Sequence, residues 1–100
     1  MKGYVVCVYK SITSEEKLKE YAVKAKSAVE KYKGKFIVRG GKATINEGKK
    51  SPRTVVIEFP SLQAAEKCWA SDEYQNAAKH RKNGVGENEL VIMEAGEFTK

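Results

Sequence analysis

The sequence predicts an α+β domain with the element order β-α-β-β-α-β, the split pattern of ferredoxin-like folds. Three observations predict it. Short β-branched and aromatic runs open the chain, cross its middle and close it, at residues 4–8, 54–59 and 90–93. Between them lie two segments whose apolar residues recur every three or four positions, as one face of a helix does. A polar stretch with glycine and proline, residues 46–52, separates the second and third strands as a hairpin loop would. The expected sheet has four strands and is antiparallel, with helices on one face. Strands one and three are expected at its centre, parallel to each other and joined by right-handed crossovers.

Each element follows from its residues. Residues 3–9 (Gly-Tyr-Val-Val-Cys-Val-Tyr) form a strand that is apolar on both faces. A helix then starts with Thr13 as N-cap and Glu16 three residues on, the spacing of a capping box. Leu18, Tyr21, Ala22, Ala25, Ala28, Val29 and Tyr32 mark its inner face, and Gly34 is the expected C-cap. The second strand is expected over 35–47, with a bulge or bend at Gly40-Gly41. The third covers 53–59: Val55, Ile57 and Phe59 share one face, and Thr54, Val56 and Glu58 share the other. Pro60 stops it and Ser61 caps a helix that carries Leu62, Ala65, Cys68 and Trp69 inward. That helix breaks at Ser71 and restarts at Asp72, with Tyr74, Ala77, Ala78 and Arg81 on one face. Residues 89–95 make the last strand. The domain is expected over 1–96, followed by a flexible tail at 97–100.

A length of 100 residues suits one domain. The net charge is +6, but lysine far outnumbers arginine, which reads as a solvated surface more than as a phosphate-recognition surface. The RNA-recognition fold shares this strand order, yet it needs exposed aromatics on strands one and three. Strand three offers none on its Thr54, Val56 and Glu58 face, so no nucleic-acid partner is expected. Cys7 and Cys68 are isolated, which suggests buried thiols in a reducing compartment. There is no signal-peptide pattern and no apolar run of membrane-spanning length. The expectation is a cytoplasmic protein without a membrane partner.

The strands are apolar on both faces, while two helical segments cover only one. Burying the second face at about 25 cal/mol per Å2 is worth several kcal/mol over a few hundred Å2. The simplest cover is a second copy, giving a homodimer through the sheet faces that closes into an α+β barrel.

Several stretches carry a family resemblance. They are Lys2-Gly3-Tyr4, Phe36-Ile37-Val38-Arg39-Gly40-Gly41, the run from Arg53 through Ser61, and Trp69 with Ser71-Asp72-Glu73-Tyr74. Together they resemble the bacterial family known as domain of unknown function 1330, over nearly the whole chain. The resemblance implies a dimeric α+β barrel. It also implies kinship in fold with small antibiotic-biosynthesis-type monooxygenases and ethyl tert-butyl ether degradation proteins. It supplies no reaction. The lysine-rich helix surface departs from the family's pattern.

The candidate chemistry is sparse. His80, the single histidine, has no ligand-spaced Cys or carboxylate near it in sequence, so neither a metal nor a cofactor is expected. Glu58 in the middle of the fold is either an acid/base group or one half of a structural ion pair with Arg39 or Arg53. The cleft between sheet and helices is the expected pocket, with Arg39, Arg53, Trp69 and Tyr74 as ligand-binding candidates. Tyr21 and Tyr32 are further aromatics for its lining, though helical spacing alone accounts for the aromatics as core. The favoured reading is a binder of a small organic, anionic ligand. A cofactor-independent enzyme of the monooxygenase or isomerase kind, with Glu58, Tyr74 or His80 moving protons, is the alternative. A structural or interaction module is a third.

Overall fold

β1 (Gly3–Tyr9) is hydrogen-bonded along both edges, to β3 (Arg53–Phe59) and to β4 (Asn88–Glu94), and this central place suits a strand whose side chains are apolar on both faces. β2 (Lys35–Arg39) pairs beyond β3, which gives the order β2-β3-β1-β4. The helices α1 (Glu15–Lys31), α2 (Leu62–Ala70) and α3 (Asp72–Lys82) pack on one face. The fold is therefore α+β and ferredoxin-like. The computed structural model describes residues 1–82 and 84–96, with His80 by its backbone alone. The tail expected at 97–100 lies outside the described residues.

The expected parallel pairing of strands one and three is corrected. β1 and β3 are neighbours at the centre but run antiparallel, with Val6 opposite Val56. The reason is directional. α1 returns the chain, so β2 runs with β1, and the hairpin that follows sends β3 back the other way.

Three local expectations also change. Ser14, not Thr13, caps α1: its hydroxyl accepts from the Lys17 amide at 3.2 Å. The Thr13 hydroxyl instead donates to the Gly84 carbonyl at 2.9 Å, tying the start of α1 to the loop before β4. At the other end of α1, Lys33 takes the left-handed conformation (φ 64°) that was expected of Gly34. Gly34 is required for a different reason: a Cβ there would lie 2.6 Å from Val29 and 2.7 Å from the Phe59 ring. Finally, β2 stops at Arg39, and its register slips between Phe36 and Val38. Gly40 then turns the chain at φ 68°.

The inner face of the sheet offers Val5, Cys7, Tyr9, Val55, Ile57 and Phe59. Alanines of the helices (Ala25, Ala28, Ala65, Ala77 and Ala78) let their backbones approach this face closely. Ser71 makes the break between α2 and α3. Its hydroxyl accepts from the Tyr74 amide at 3.1 Å and donates to the Cys68 carbonyl at 2.6 Å, so one side chain closes one helix and opens the next.

Among the described residues the outer face carries no helix. The registers place Val38, Val56, Val6 and Val91 in one row across all four strands. Val38, Val91 and Met93 of this face are exposed. No helix among the described residues is long and apolar enough to cross a membrane.

Candidate functional site

The inner face and the helices do not close completely. Between them lies a cavity of about 30 Å3, the room of one or two waters. β1 contributes Cys7 and Tyr9 to its wall, α1 contributes Leu18, Tyr21 and Ala22, and α3 contributes Tyr74. Arg39 and Arg53, from the facing ends of β2 and β3, stand at its rim; Arg39 is exposed and Arg53 half-buried. Among the described residues no carboxylate lines it.

The two arginines are positioned by their neighbours. The Arg39 guanidinium stacks over the Phe36 ring, 4.5 Å from its centroid. Arg53 lies across Gly40, where a Cβ would come within 2.7 Å of its Nη1, so the glycine clears the space the arginine occupies. Arg53 also borders a second, open groove of about 310 Å3, lined with Ile12, Glu15, Leu18, Lys19, Ala22 and Pro52.

Inside the cavity the polar groups are phenols. The Tyr21 and Tyr74 hydroxyls are hydrogen-bonded at 2.7 Å, and their rings meet edge-on with centroids 6.4 Å apart. Burial raises the pKa of both, and of Tyr9, above the ordinary tyrosine value. All three therefore stay protonated at neutral pH, and in the Tyr21–Tyr74 pair one hydroxyl donates to the other.

The residues singled out from sequence separate into two groups. Arg39, Arg53 and Tyr74 come together at this cavity, joined by Tyr21. Trp69 stands behind it: the indole packs on Tyr74 at 5.4 Å and shares with it a smaller void of about 10 Å3. Tyr32 packs against the core, away from the cavity wall. Glu58 is on the other side of the sheet. Its expected pairing with Arg39 or Arg53 is corrected, since it accepts from Lys2 Nζ at 2.9 Å and from the Tyr4 hydroxyl at 3.1 Å. Those hydrogen bonds hold its carboxyl below the ordinary value, the reverse of a poised general base. The His80 side chain lies outside what is described. Among the described residues no three His, Cys, Asp or Glu gather as metal ligands would.

One residue was missed as a site candidate. Arg81 is the single buried polar or charged side chain among the described residues, 3% exposed. Its guanidinium lies 5.3 Å from the Tyr21 ring centroid, and its Nη1 donates to Asn88 Oδ1 at 2.8 Å. The signal was present in the sequence: an arginine on the same helical face as Tyr74, Ala77 and Ala78. All three arginines of the chain thus lie on the helix-covered side of the sheet.

The family model described as "Domain of unknown function (DUF1330)" matches residues 2–95, and the chain belongs to that family. A comparison with curated proteins finds no match. Among solved structures, the chain is similar to a protein of unknown function from Rhodopseudomonas palustris (TM-score 0.75, 17% identity, covering 96% of this chain and 83% of that one). It is also similar to an ethyl tert-butyl ether d (ethd) family protein from Bacillus halodurans (TM-score 0.63, 15% identity, 96% and 100% covered). A third is a dimeric ferredoxin-like protein of unknown function from Jannaschia (TM-score 0.65, 9% identity, 95% and 100% covered). At these identities the likeness is one of fold.

Proposed function

We propose that this protein is a homodimer, paired through the outer sheet faces, that binds a small organic anion in the sheet–helix cleft of each subunit. One observation carries the ligand reading: every arginine of the chain lies on the helix-covered side, and among the described residues no carboxylate lines the cavity. A guanidinium without a carboxylate partner is an anion site in waiting. The cavity is small as it stands. Arg53, Leu18 and Ala22 line both it and the open groove of about 310 Å3, so a larger molecule would extend past Arg53 toward that groove, whose wall also carries Glu15 and Lys19. The described cavity residues supply cations and hydrogen-bond donors and no base, which favours binding over proton abstraction. The row of four valines on the outer face supports pairing, and the Jannaschia protein of the same fold is dimeric.

The test of the ligand reading is thermal melting with a panel of small carboxylates, each beside its uncharged amide. Carboxylates are expected to raise the Tm and amides to leave it unchanged, with the shift lost in Arg39→Ala/Arg53→Ala. A panel without effect on the wild-type protein sinks the proposal.

A further inference from the structure

β2 and β3 are antiparallel neighbours, and about two to five residues would join them as a hairpin. The chain uses residues 40–52 instead. Every residue from 41 to 50 is exposed, and among the described residues no hydrogen bond or ion pair ties this arm to the rest of the chain. Ser51 pins its returning end, with the hydroxyl donating to the Tyr9 carbonyl at 2.6 Å. The arm carries an apolar side chain, Ile45, that is 45% exposed and stands outside the core cluster.

The outer face has a place that such a side chain fits. An open groove of about 500 Å3 lies there on Val6 and Val8 of β1 and Val91 of β4. Lys49, Lys50 and the Lys10–Glu89 ion pair border it. Within one chain the returning end of the arm thus walls the groove, while Ile45 stays out of it.

Charge and register decide whose arm fits. Residues 87–94 hold three carboxylates, Glu87, Glu89 and Glu94, and no cation. β2 and the arm hold Lys35, Arg39, Lys42, Lys49 and Lys50 against Glu47 alone. β2 and β4 are the opposite edges of the sheet. Two copies that meet by their outer faces about a two-fold axis have two aligned arrangements. An axis across the strands lays β2 on β2 and β4 on β4, like charge on like. An axis along the strands lays β2 of one copy on β4 of the other, cations on carboxylates. The second arrangement also matches in level. Arg39 is opposite Val55, Val55 opposite Cys7 and Cys7 opposite Leu90, so the arm leaves the sheet at the level where the groove lies on β4.

We infer that the arm is exchanged between protomers: residues 41–50 of one copy cross β4 of the other, and Ile45 seats in the groove on Val8 and Val91. Glu47 of the incoming arm then meets the groove's Lys49 and Lys50. This rests on the outer-face pairing proposed above and gives it a direction, with β2 of each copy over β4 of its mate.

The test is disulfide cross-linking of two variants, each with one added cysteine on an exposed position. Cys7 and Cys68 are buried, and the unaltered protein serves as the blank. Ile45→Cys chains co-expressed with Val91→Cys chains are expected to give a covalent dimer on oxidation, and neither variant is expected to do so alone. Cross-linking of either variant with itself puts like edges together and overturns the exchange. A protein that sediments as a dimer but gives no cross-link in the mixed sample also overturns it, and leaves the pairing standing. A wild-type protein that sediments at 11.1 kDa at micromolar concentration takes both readings down. Ile45→Asp supplies a second readout. It is expected to raise the dimer dissociation constant by about tenfold or more with the circular dichroism unchanged, because Ile45 is outside the core. An unchanged dissociation constant overturns the seat.

Discussion

Arg53 and Glu58 belong to the same strand, yet they serve opposite faces of the sheet: Arg53 borders the cleft, and Glu58 is held by Lys2 and Tyr4 on the outer face. Their roles are therefore separable. Arg53→Ala is expected to weaken anion binding without changing the acid response. Glu58→Gln is expected to do the reverse. Because the folded-state pKa of Glu58 is depressed, its contribution is present above its unfolded value near 4.5 and is lost as the pH falls below that. Melting curves should show Glu58→Gln below wild type at pH 7, with the gap closing toward pH 3. A constant gap across that range would refute the assignment.

At the alkaline end the sign reverses. Tyr9, Tyr21 and Tyr74 have folded pKa values raised above 10.0, so the unfolded chain loses those protons first. Stability is then fully present below pH 10 and falls above it, by about 1.4 kcal/mol per pH unit for each phenol. The buried Cys7 and Cys68 thiols, raised above 9.0 (Cys68 to about 11), begin the decline one unit earlier. Denaturant unfolding between pH 8 and 11.5 measures the slope. Tyr74→Phe should make it shallower by about 1.4 kcal/mol per unit.

Two adjacent residues after α1 should respond in opposite ways to small substitutions. Lys33 occupies the left-handed region with a side chain, so Lys33→Gly is expected to stabilise by about 0.5–1 kcal/mol, after the added unfolded-state freedom is subtracted. Gly34→Ala pushes a methyl group into Val29 and the Phe59 ring and should cost about 1–3 kcal/mol. Urea midpoints at constant m-value check both. A destabilising Lys33→Gly would show that the left-handed lysine is not the strained residue.

The valine row predicts the behaviour of the outer face. If the proposed outer-face pairing holds, Val56→Asp places a carboxylate between the two copies and should raise the dimer dissociation constant by roughly 100-fold, about 2.8 kcal/mol, with the circular dichroism of the protomer unchanged. Sedimentation across a concentration series reads this. A wild-type protein that stays at 11.1 kDa at micromolar concentration would refute the pairing itself.

Much of the fold was legible because local rules act alone in these segments. The inner faces of α1, α2 and α3, the Ser61 cap and the Ser71 break need only helical periodicity and a hydroxyl at the right place. The two-sided apolar strands likewise announced a sheet whose second face no helix covers. Alternation even separated Arg53 from Glu58, since odd and even residues of a strand point apart, although that consequence was not carried to the pairing. The direction of β3 relative to β1 was missed because it depends on counting chain reversals through the whole topology.

What the tertiary structure decided is which distant residues share one small space. Arg39, Arg53, Tyr74 and Tyr21 converge because β2, β3, α3 and α1 end around the same cavity. Arg81 shares a helical face with Tyr74, Ala77 and Ala78 in the sequence, but its place at the end of a basic helix gave no sign of its partners; its neighbours Lys79 and Lys82 are exposed. The packing of α3 against α1 sets it over the Tyr21 ring, and its hydrogen bond to Asn88 ties it to β4. The sequence by itself determined the elements, their inner faces and the unpaired outer sheet, because those follow from periodicity and burial of apolar area. A buried guanidinium with unpartnered nitrogens, as in Arg81, is a property of three-dimensional packing, and no spacing along the chain encodes it.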